Sequence, residues 1–79
     1  MTKDRIFEFL RTELAIDLTG VDEETLLVST GIVDSLALVD LVMFLETEAG
    51  LRIAPGDLSL EHFDTVGRML HFLQKTNGR

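Results

Sequence analysis

The sequence contains no cysteine, so its own side chains cannot form disulfides, thiolate nucleophiles or thiolate metal sites. This absence fits a reducing compartment. Tryptophan and tyrosine are also absent, and apolar and polar residues rarely alternate cleanly, which argues against β-strands. The only proline is Pro55, so little interrupts the helical spacing of apolar residues that recurs along the chain. These features predict an all-α protein.

Basic residues are few. The sequence has seven lysines and arginines and fourteen aspartates and glutamates, which gives a formal net charge of −7. From Asp34 to Asp64 there are seven acids, and only Arg52 opposes them. Such a surface repels phosphate backbones and attracts basic protein surfaces, which argues against a nucleic-acid partner and for a protein partner. The alternative is that the acidity serves only to keep a small protein soluble.

Long apolar runs are missing as well. The longest run, from Leu36 to Leu45, includes Asp40 and is too short to span a bilayer. The first residues mix charges into every turn and lack the apolar segment of a signal peptide. We therefore expect a cytoplasmic monomer without membrane insertion. With 79 residues we expect one domain over residues 1–79, frayed at 1–2 and 76–79.

Helical spacing predicts a small four-helix bundle of three main helices and one short helix. Thr2 is the expected N-cap of the first helix, Gly50 the stop of the second and Asp64 the N-cap of the last. A long loop over residues 16–33 joins the first two helices, and loops of this length are often functional. The predicted helices cover about residues 3–15, 34–49, 58–62 and 64–75.

Apolar residues of the loop and a glycine of the last helix carry further expectations. Five loop side chains should anchor the loop to the core: Ile16, Leu18, Val21, Leu26 and Leu27. Gly67 lies inside the last helix, where glycine costs ~1 kcal/mol relative to alanine. We therefore expect that helix to depend on packing for its stability.

The second helix carries apolar residues on two faces. One face is predicted to be the core side and comprises Leu38, Leu41, Val42, Leu45 and Ala49. Leu36, Val39 and Met43 lie on the opposite face among acids that include Asp40 and Glu46. We call these three residues the apolar stripe. An exposed stripe rimmed by acids is typical of a surface on which other proteins dock. The alternative is a central helix that the long loop covers.

Ser35 follows Asp34 at the head of this helix. A serine nucleophile needs a nearby base, but the two histidines, His62 and His71, belong to no recognisable constellation and are expected on the surface. Neither the G-x-S-x-G elbow nor a metal-binding spacing is present. Two roles remain possible for Ser35. In the first, either Asp34 or Ser35 is simply the N-cap of the helix, which contributes ~1 kcal/mol to stability. In the second, Ser35 carries a phosphorylated group, which the positive end of the helix dipole favours.

The residues around Ser35 resemble a known family. The segment Gly31 to Leu36 reads GIVDSL, and LVMFLETE follows at residues 41–48. Together they resemble the phosphopantetheine attachment region of acyl and peptidyl carrier proteins. The likeness continues through Leu51-Arg52-Ile53 and through EHFDTV at residues 61–66, and covers about residues 25–75. The triplet D-S-L alone is a weak signal, whereas its combination with this helix, the following linker and the later F-x-T-V, in a chain this small and acidic, is a strong one.

The resemblance implies a non-enzymatic carrier. Ser35 would accept 4′-phosphopantetheine from coenzyme A through a separate transferase, and Asp34 would help to position the transferase's metal ion. The thiol of the arm would hold an acyl or aminoacyl intermediate as a thioester, so the cofactor supplies the chemistry and the protein supplies presentation. The Gly-Ile-Val-Asp-Ser spacing is similar to that of free-standing carriers in specialised pathways, such as polyketide or nonribosomal peptide biosynthesis.

Partners follow from the same resemblance. They are a phosphopantetheinyl transferase, a loading ligase or acyltransferase, and downstream enzymes with basic docking patches. The residues expected to meet them are Leu36, Val39, Asp40, Met43 and Glu46. The cargo stays open between acyl, aminoacyl and D-alanyl groups. The alternative function is that of a helical adaptor that binds one partner permanently through the apolar stripe.

Overall fold

The computed structural model describes residues 1–77, which fold into helices without a β-strand in that range. None of the helices in those residues is long and apolar enough to cross a membrane. The all-helical prediction is confirmed. In chain order the elements are α1 (Lys3–Thr12), α2 (Ser35–Ala49), a 3-10 turn (Pro55–Asp57), α3 (Leu60–Phe63) and α4 (Val66–Asn77).

Helix α1 begins where the sequence predicts and ends earlier. The Thr2 hydroxyl accepts a hydrogen bond from the Arg5 N–H at 3.3 Å, which confirms the N-cap. The helix stops at Thr12 because Ala15 takes a left-handed conformation, with φ of 54°. The Ile16 N–H then donates to the Leu10 carbonyl at 3.0 Å. This hydrogen bond spans six residues and closes the end of the helix, with alanine in the left-handed conformation that glycine usually adopts at helix ends.

One apolar core holds the elements together. Its twelve buried apolar side chains are Ile6, Leu10, Leu27, Val33, Leu41, Leu45, Ile53, Phe63, Val66, Met69, Phe72 and Leu73. Helix α2 contributes Leu41 and Leu45, and the other residues of its predicted inner face are half-buried. Four of the five expected loop anchors are buried or half-buried. The prediction for Leu26 is wrong, since its side chain is 42% exposed, whereas Val33 is an anchor that the sequence analysis did not identify.

The start of α4 differs from the prediction. Thr65, not Asp64, caps this helix, because the Thr65 hydroxyl accepts a hydrogen bond from the Arg68 N–H at 3.0 Å. Asp64 instead closes α3, and its N–H donates to the Leu60 carbonyl at 3.0 Å. Helix α4 continues to Asn77, two residues past the predicted end at Lys75. Of the predicted frayed tail, residues 78–79 lie outside the described residues.

The two histidines have different environments. His71 is exposed, as predicted. The surface prediction for His62 is wrong, because this side chain is half-buried and its ring lies 4.8 Å from that of Phe72, measured between centroids. Its Nδ1 lies 3.0 Å from the Asp57 carbonyl oxygen, so a proton on Nδ1 would join α3 to the preceding turn. His62 is therefore part of the packing between α3 and α4.

Candidate functional site

The long loop before α2 is held by short-range turns at its beginning. The Asp17 carboxylate accepts hydrogen bonds from the Thr19 N–H at 2.9 Å and the Thr19 hydroxyl at 2.7 Å. The hydroxyl, followed by the N–H, lowers the pKa of Asp17 below its ordinary value. Asp22 and Thr25 form a second turn, in which the Asp22 N–H donates to the Thr25 hydroxyl at 2.9 Å. These turns use polar side chains that the sequence places two or three residues apart.

The middle of the loop is held by α4, through a glycine. The Gly67 N–H donates to the Glu23 carbonyl oxygen at 2.9 Å. A Cβ atom at position 67 would lie only 3.2 Å from that oxygen and 3.3 Å from the Glu24 carboxylate. Glycine is therefore present within this helix because it lets the loop backbone approach closely, which offsets its poor helix propensity.

The most extensive connection to the loop is made by Asp64, which is only 3% exposed. Its Oδ1 accepts hydrogen bonds from three consecutive N–H groups, those of Leu27, Val28 and Ser29, at 3.1, 2.8 and 3.0 Å. Burial alone would raise the pKa of this carboxyl group. The hydrogen bonds from Ser29, Val28 and Leu27 outweigh burial, so the pKa of Asp64 lies below its ordinary value. We call this arrangement of residues 27–29 on Asp64 the loop junction.

The loop junction leads directly into the head of α2. The Leu27 carbonyl accepts the Val33 N–H at 2.9 Å, and the Gly31 N–H donates to the Val28 carbonyl at 3.1 Å. Gly31 has a φ of 83°, a conformation that costs glycine little. Val33 then inserts into the core with none of its surface exposed. The buried Val33 side chain thus fixes the chain two residues before Ser35.

Asp34 is the cap of α2. Its Oδ1 accepts the Ala37 N–H at 2.8 Å, and its backbone is extended, as is usual for an N-cap residue. Ser35 is consequently the first residue of the helix, and its side chain is exposed. The Ser35 hydroxyl makes no hydrogen bond to another residue within 1–77. Of the two candidates for the cap, Asp34 takes that role and leaves the serine oxygen accessible.

The head of α2 suits an anionic group on Ser35. The backbone N–H groups of Ser35 and Leu36 have no acceptor within residues 1–77, and the helix dipole places partial positive charge at this end. A phosphate ester on the serine oxygen would therefore be stabilised by backbone groups. The head of α2 thus fits a phosphate-linked arm. Residues 1–77 contain no group of three or more potential ligands that could hold a metal ion by themselves.

The apolar stripe lies on the exposed side of α2. Leu36, Val39 and Met43 are 80%, 55% and 59% exposed. Spacings of three and four residues place them along one face, over ~10 Å of helix. The long loop therefore does not cover this face. Asp40 is exposed beside the stripe, and α2 contains no lysine or arginine.

The acids near the end of α2 are engaged within the protein. The Glu46 carboxylate is half-buried and accepts the Ile53 N–H at 2.7 Å, which ties the helix to the segment that follows it. Glu48 forms an ion pair with Arg5, with 3.1 Å between oxygen and Nε. The structure thus brings Asp40 together with the apolar stripe and gives Glu46 an additional internal role.

Some exposed or interlocking residues were not identified from the sequence. Leu58 and Leu60 are exposed apolar residues around the start of α3. Phe9 and Phe44 stack between α1 and α2, with 4.1 Å between ring centroids.

The sequence did contain a signal for the role of Asp64. Asp64 and Thr65 are two consecutive capping residues, and only one of them can cap α4.

Comparisons with known proteins agree with this geometry. The family model described as phosphopantetheine attachment site matches residues 4–73. An acyl carrier protein of Thermotoga maritima is 35% identical over 74 residues, which cover 94% of this chain and 89% of that protein. An acyl carrier protein of Petrotoga mobilis is 36% identical over 80 aligned positions, which cover 95% of this chain and 91% of that protein.

These matches span nearly all of the chain and include the loop, α2 and the start of α4. They favour a carrier over a permanent adaptor. The chain therefore belongs to the phosphopantetheine-attachment family of carrier proteins, which hold 4′-phosphopantetheine covalently and are carriers, not enzymes.

Proposed function

We propose that the protein tethers acyl intermediates on a 4′-phosphopantetheine arm attached to Ser35 and presents them to successive enzymes. The observation that carries the proposal is the exposed Ser35 hydroxyl at the head of α2, left accessible because Asp34 takes the capping role. When attached, the arm supplies a thiol that can hold an acyl group. An acyl cargo is favoured over an aminoacyl one because both relatives are acyl carrier proteins.

Asp34 has a second task in this proposal. One of its oxygens, Oδ1, accepts the Ala37 N–H, while Oδ2 has no hydrogen-bond partner within residues 1–77. The free oxygen lies one residue from Ser35, where it could help to hold the metal ion of a phosphopantetheinyl transferase. Asp34 therefore keeps the serine oxygen accessible and supports its modification.

Partner enzymes dock on the apolar stripe and on Asp40. The stripe supplies apolar surface, and Asp40 attracts a lysine or arginine of the partner. Glu46 contributes negative charge, although its hydrogen bond to Ile53 restricts its movement. The partners are the transferase, a loading ligase or acyltransferase, and downstream enzymes with basic docking patches. Because a carrier must leave each partner, these complexes should be short-lived and sensitive to salt.

The proposal includes a specialised pathway and a cytoplasmic location. The Gly31 to Ser35 segment, GIVDS, is similar to that of free-standing carriers in polyketide or nonribosomal peptide biosynthesis. The cysteine-free composition fits a reducing compartment. A test of the pathway is to present the modified protein to malonyl-type and aminoacyl loading enzymes and compare their rates.

The attachment itself can be tested directly. We expect the apo protein, incubated with coenzyme A and a phosphopantetheinyl transferase of broad specificity, to gain the mass of one phosphopantetheine group. Ser35→Ala should gain nothing, because it lacks the accepting oxygen. The matched control is Ser59→Ala, which removes the hydroxyl of a serine outside both the loop and α2 and should still be modified. An unchanged mass of the wild-type protein, or modification of Ser35→Ala, would contradict the proposal.

A further inference from the structure

Asp64 binds the loop that leads into α2, and the proposed function assigns this residue no role. A carboxylate that is 3% exposed is costly to bury unless its oxygens are paired. Here one oxygen accepts three backbone N–H groups that belong to a loop more than thirty residues earlier in the chain. A neutral or shorter side chain could not replace all three charge-assisted hydrogen bonds.

A short series of hydrogen bonds joins Asp64 to the head of α2. The Leu27 N–H lies between two acceptors of Asp64, the carbonyl at 2.7 Å and Oδ1 at 3.1 Å. The Leu27 carbonyl accepts the Val33 N–H at 2.9 Å. Val33 is fully buried, and Ser35 follows two residues later. Displacing residues 27–29 would therefore shift the backbone from which Ser35 projects.

We propose that Asp64 is a positioning residue for the attachment of phosphopantetheine to Ser35, an inference that rests on the proposed function. In this transfer the serine oxygen bonds to the phosphorus of the phosphopantetheine and the pyrophosphate bond of coenzyme A breaks. The nucleotide leaves, and the hydroxyl proton passes to the transferase or to solvent. Asp64 touches none of these atoms. It acts through residues 27–29 and Val33, which set the angle at which Ser35 meets the enzyme.

A positioning role for Asp64 and a purely structural role predict different changes in kcat and KM, because the carrier is a substrate of the transferase. A misplaced serine lowers kcat, since the bound carrier reacts more slowly. Docking on the apolar stripe is unaffected, so KM stays unchanged. A partly unfolded carrier instead lowers the concentration of competent substrate, which raises the apparent KM and leaves kcat unchanged.

The experiment measures kcat and KM for modification by coenzyme A and a broad-specificity transferase. We expect Asp64→Ala to lower kcat about tenfold with KM unchanged, since small displacements of reacting groups have effects of this order. Asp64→Asn keeps an oxygen acceptor and should lower kcat about threefold, in proportion to its weaker neutral hydrogen bonds. The matched control is Asp17→Ala, which removes a hydrogen-bonded carboxylate from the same loop and should change neither constant.

Hydrogen exchange provides a second readout. In Asp64→Asn the amides of Leu27, Val28, Ser29 and Val33 should exchange faster, while the α1 amides keep their protection. An unchanged kcat in Asp64→Ala, or a rise in KM alone, overturns the inference. If Asp64→Ala does not fold, an unchanged kcat in Asp64→Asn overturns it. Failure of the wild-type protein to be modified, or modification of Ser35→Ala, would instead refute the proposed function.

Discussion

The outer face of α2 and the loop junction are built in opposite ways. The outer face exposes Leu36, Val39 and Met43. At the loop junction, the Asp64 carboxylate is buried and accepts three N–H groups. The first surface leaves its apolar groups free for partners, whereas the second uses its carboxylate to bind the protein's own backbone. Substitutions on the outer face should therefore affect binding, and substitutions at the loop junction should affect stability and the presentation of Ser35.

The sharpest contrast between the two regions is in stability. We expect Asp64→Ala to lower the free energy of unfolding by about 2–4 kcal/mol, because one buried and two partly buried N–H groups lose a charged acceptor. Met43→Ala should change it by less than about 0.5 kcal/mol, since surface substitutions away from specific contacts have small effects. Urea denaturation measures both. Equal losses of unfolding free energy in the two variants would contradict the proposed difference between the loop junction and the outer face of α2.

Acid should weaken the loop junction. Because the folded-state pKa of Asp64 is below the ordinary value of 3.8, its ionised form contributes stability that is present above the unfolded-state pKa. That contribution is lost as the pH falls through the lower folded-state pKa. We expect the unfolding free energy of the wild-type protein to fall more steeply below about pH 4 than that of Asp64→Asn, which cannot titrate. Parallel pH profiles would contradict this assignment.

Charge placed on the outer face should affect docking and little else. We expect Met43→Glu to raise the KM of the transferase about tenfold, because the new carboxylate must be desolvated against the partner. Its unfolding free energy should stay close to that of the wild type, because Met43 is 59% exposed. Met69→Glu is the contrasting control, since this buried methionine should not tolerate a charge without loss of folding. An unaltered KM in Met43→Glu would remove the apolar stripe from the docking surface.

The smallest predicted effect lies outside both regions. Ala15 has a φ of 54°, which glycine adopts with less strain. We expect Ala15→Gly to raise the free energy of unfolding by about 0.5–1 kcal/mol without changing the modification of Ser35. Thermal unfolding at neutral pH measures the gain. A loss of stability would show that the greater freedom of glycine in the unfolded chain outweighs the strain of alanine.

The sequence predicted α2 better than the loop. The predicted stop, Gly50, is confirmed and donates its N–H to the nearby Glu46 carbonyl. Of the two predicted candidates for the N-cap, it is Asp34 that accepts the nearby Ala37 N–H. The helical period placed Leu36, Val39 and Met43 on one face of α2, and the structure shows that this face is exposed. By contrast, Asp64 was predicted as a local cap because its true partners, residues 27–29, are distant in the chain. The Ala15 conformation was also missed, because alanine gives no signal of a left-handed helix end.

The sequence by itself determined the helical class, the apolar stripe and the motif around Ser35, because periodicity and capping depend on residues within one or two turns of each other. Tertiary structure decided which of two adjacent capping residues, Asp64 or Thr65, begins α4, and why a glycine lies inside that helix. Both outcomes depend on where the long loop meets α4. That meeting is set by burial of Leu27 and Val33 and by backbone groups whose partners no local pattern specifies.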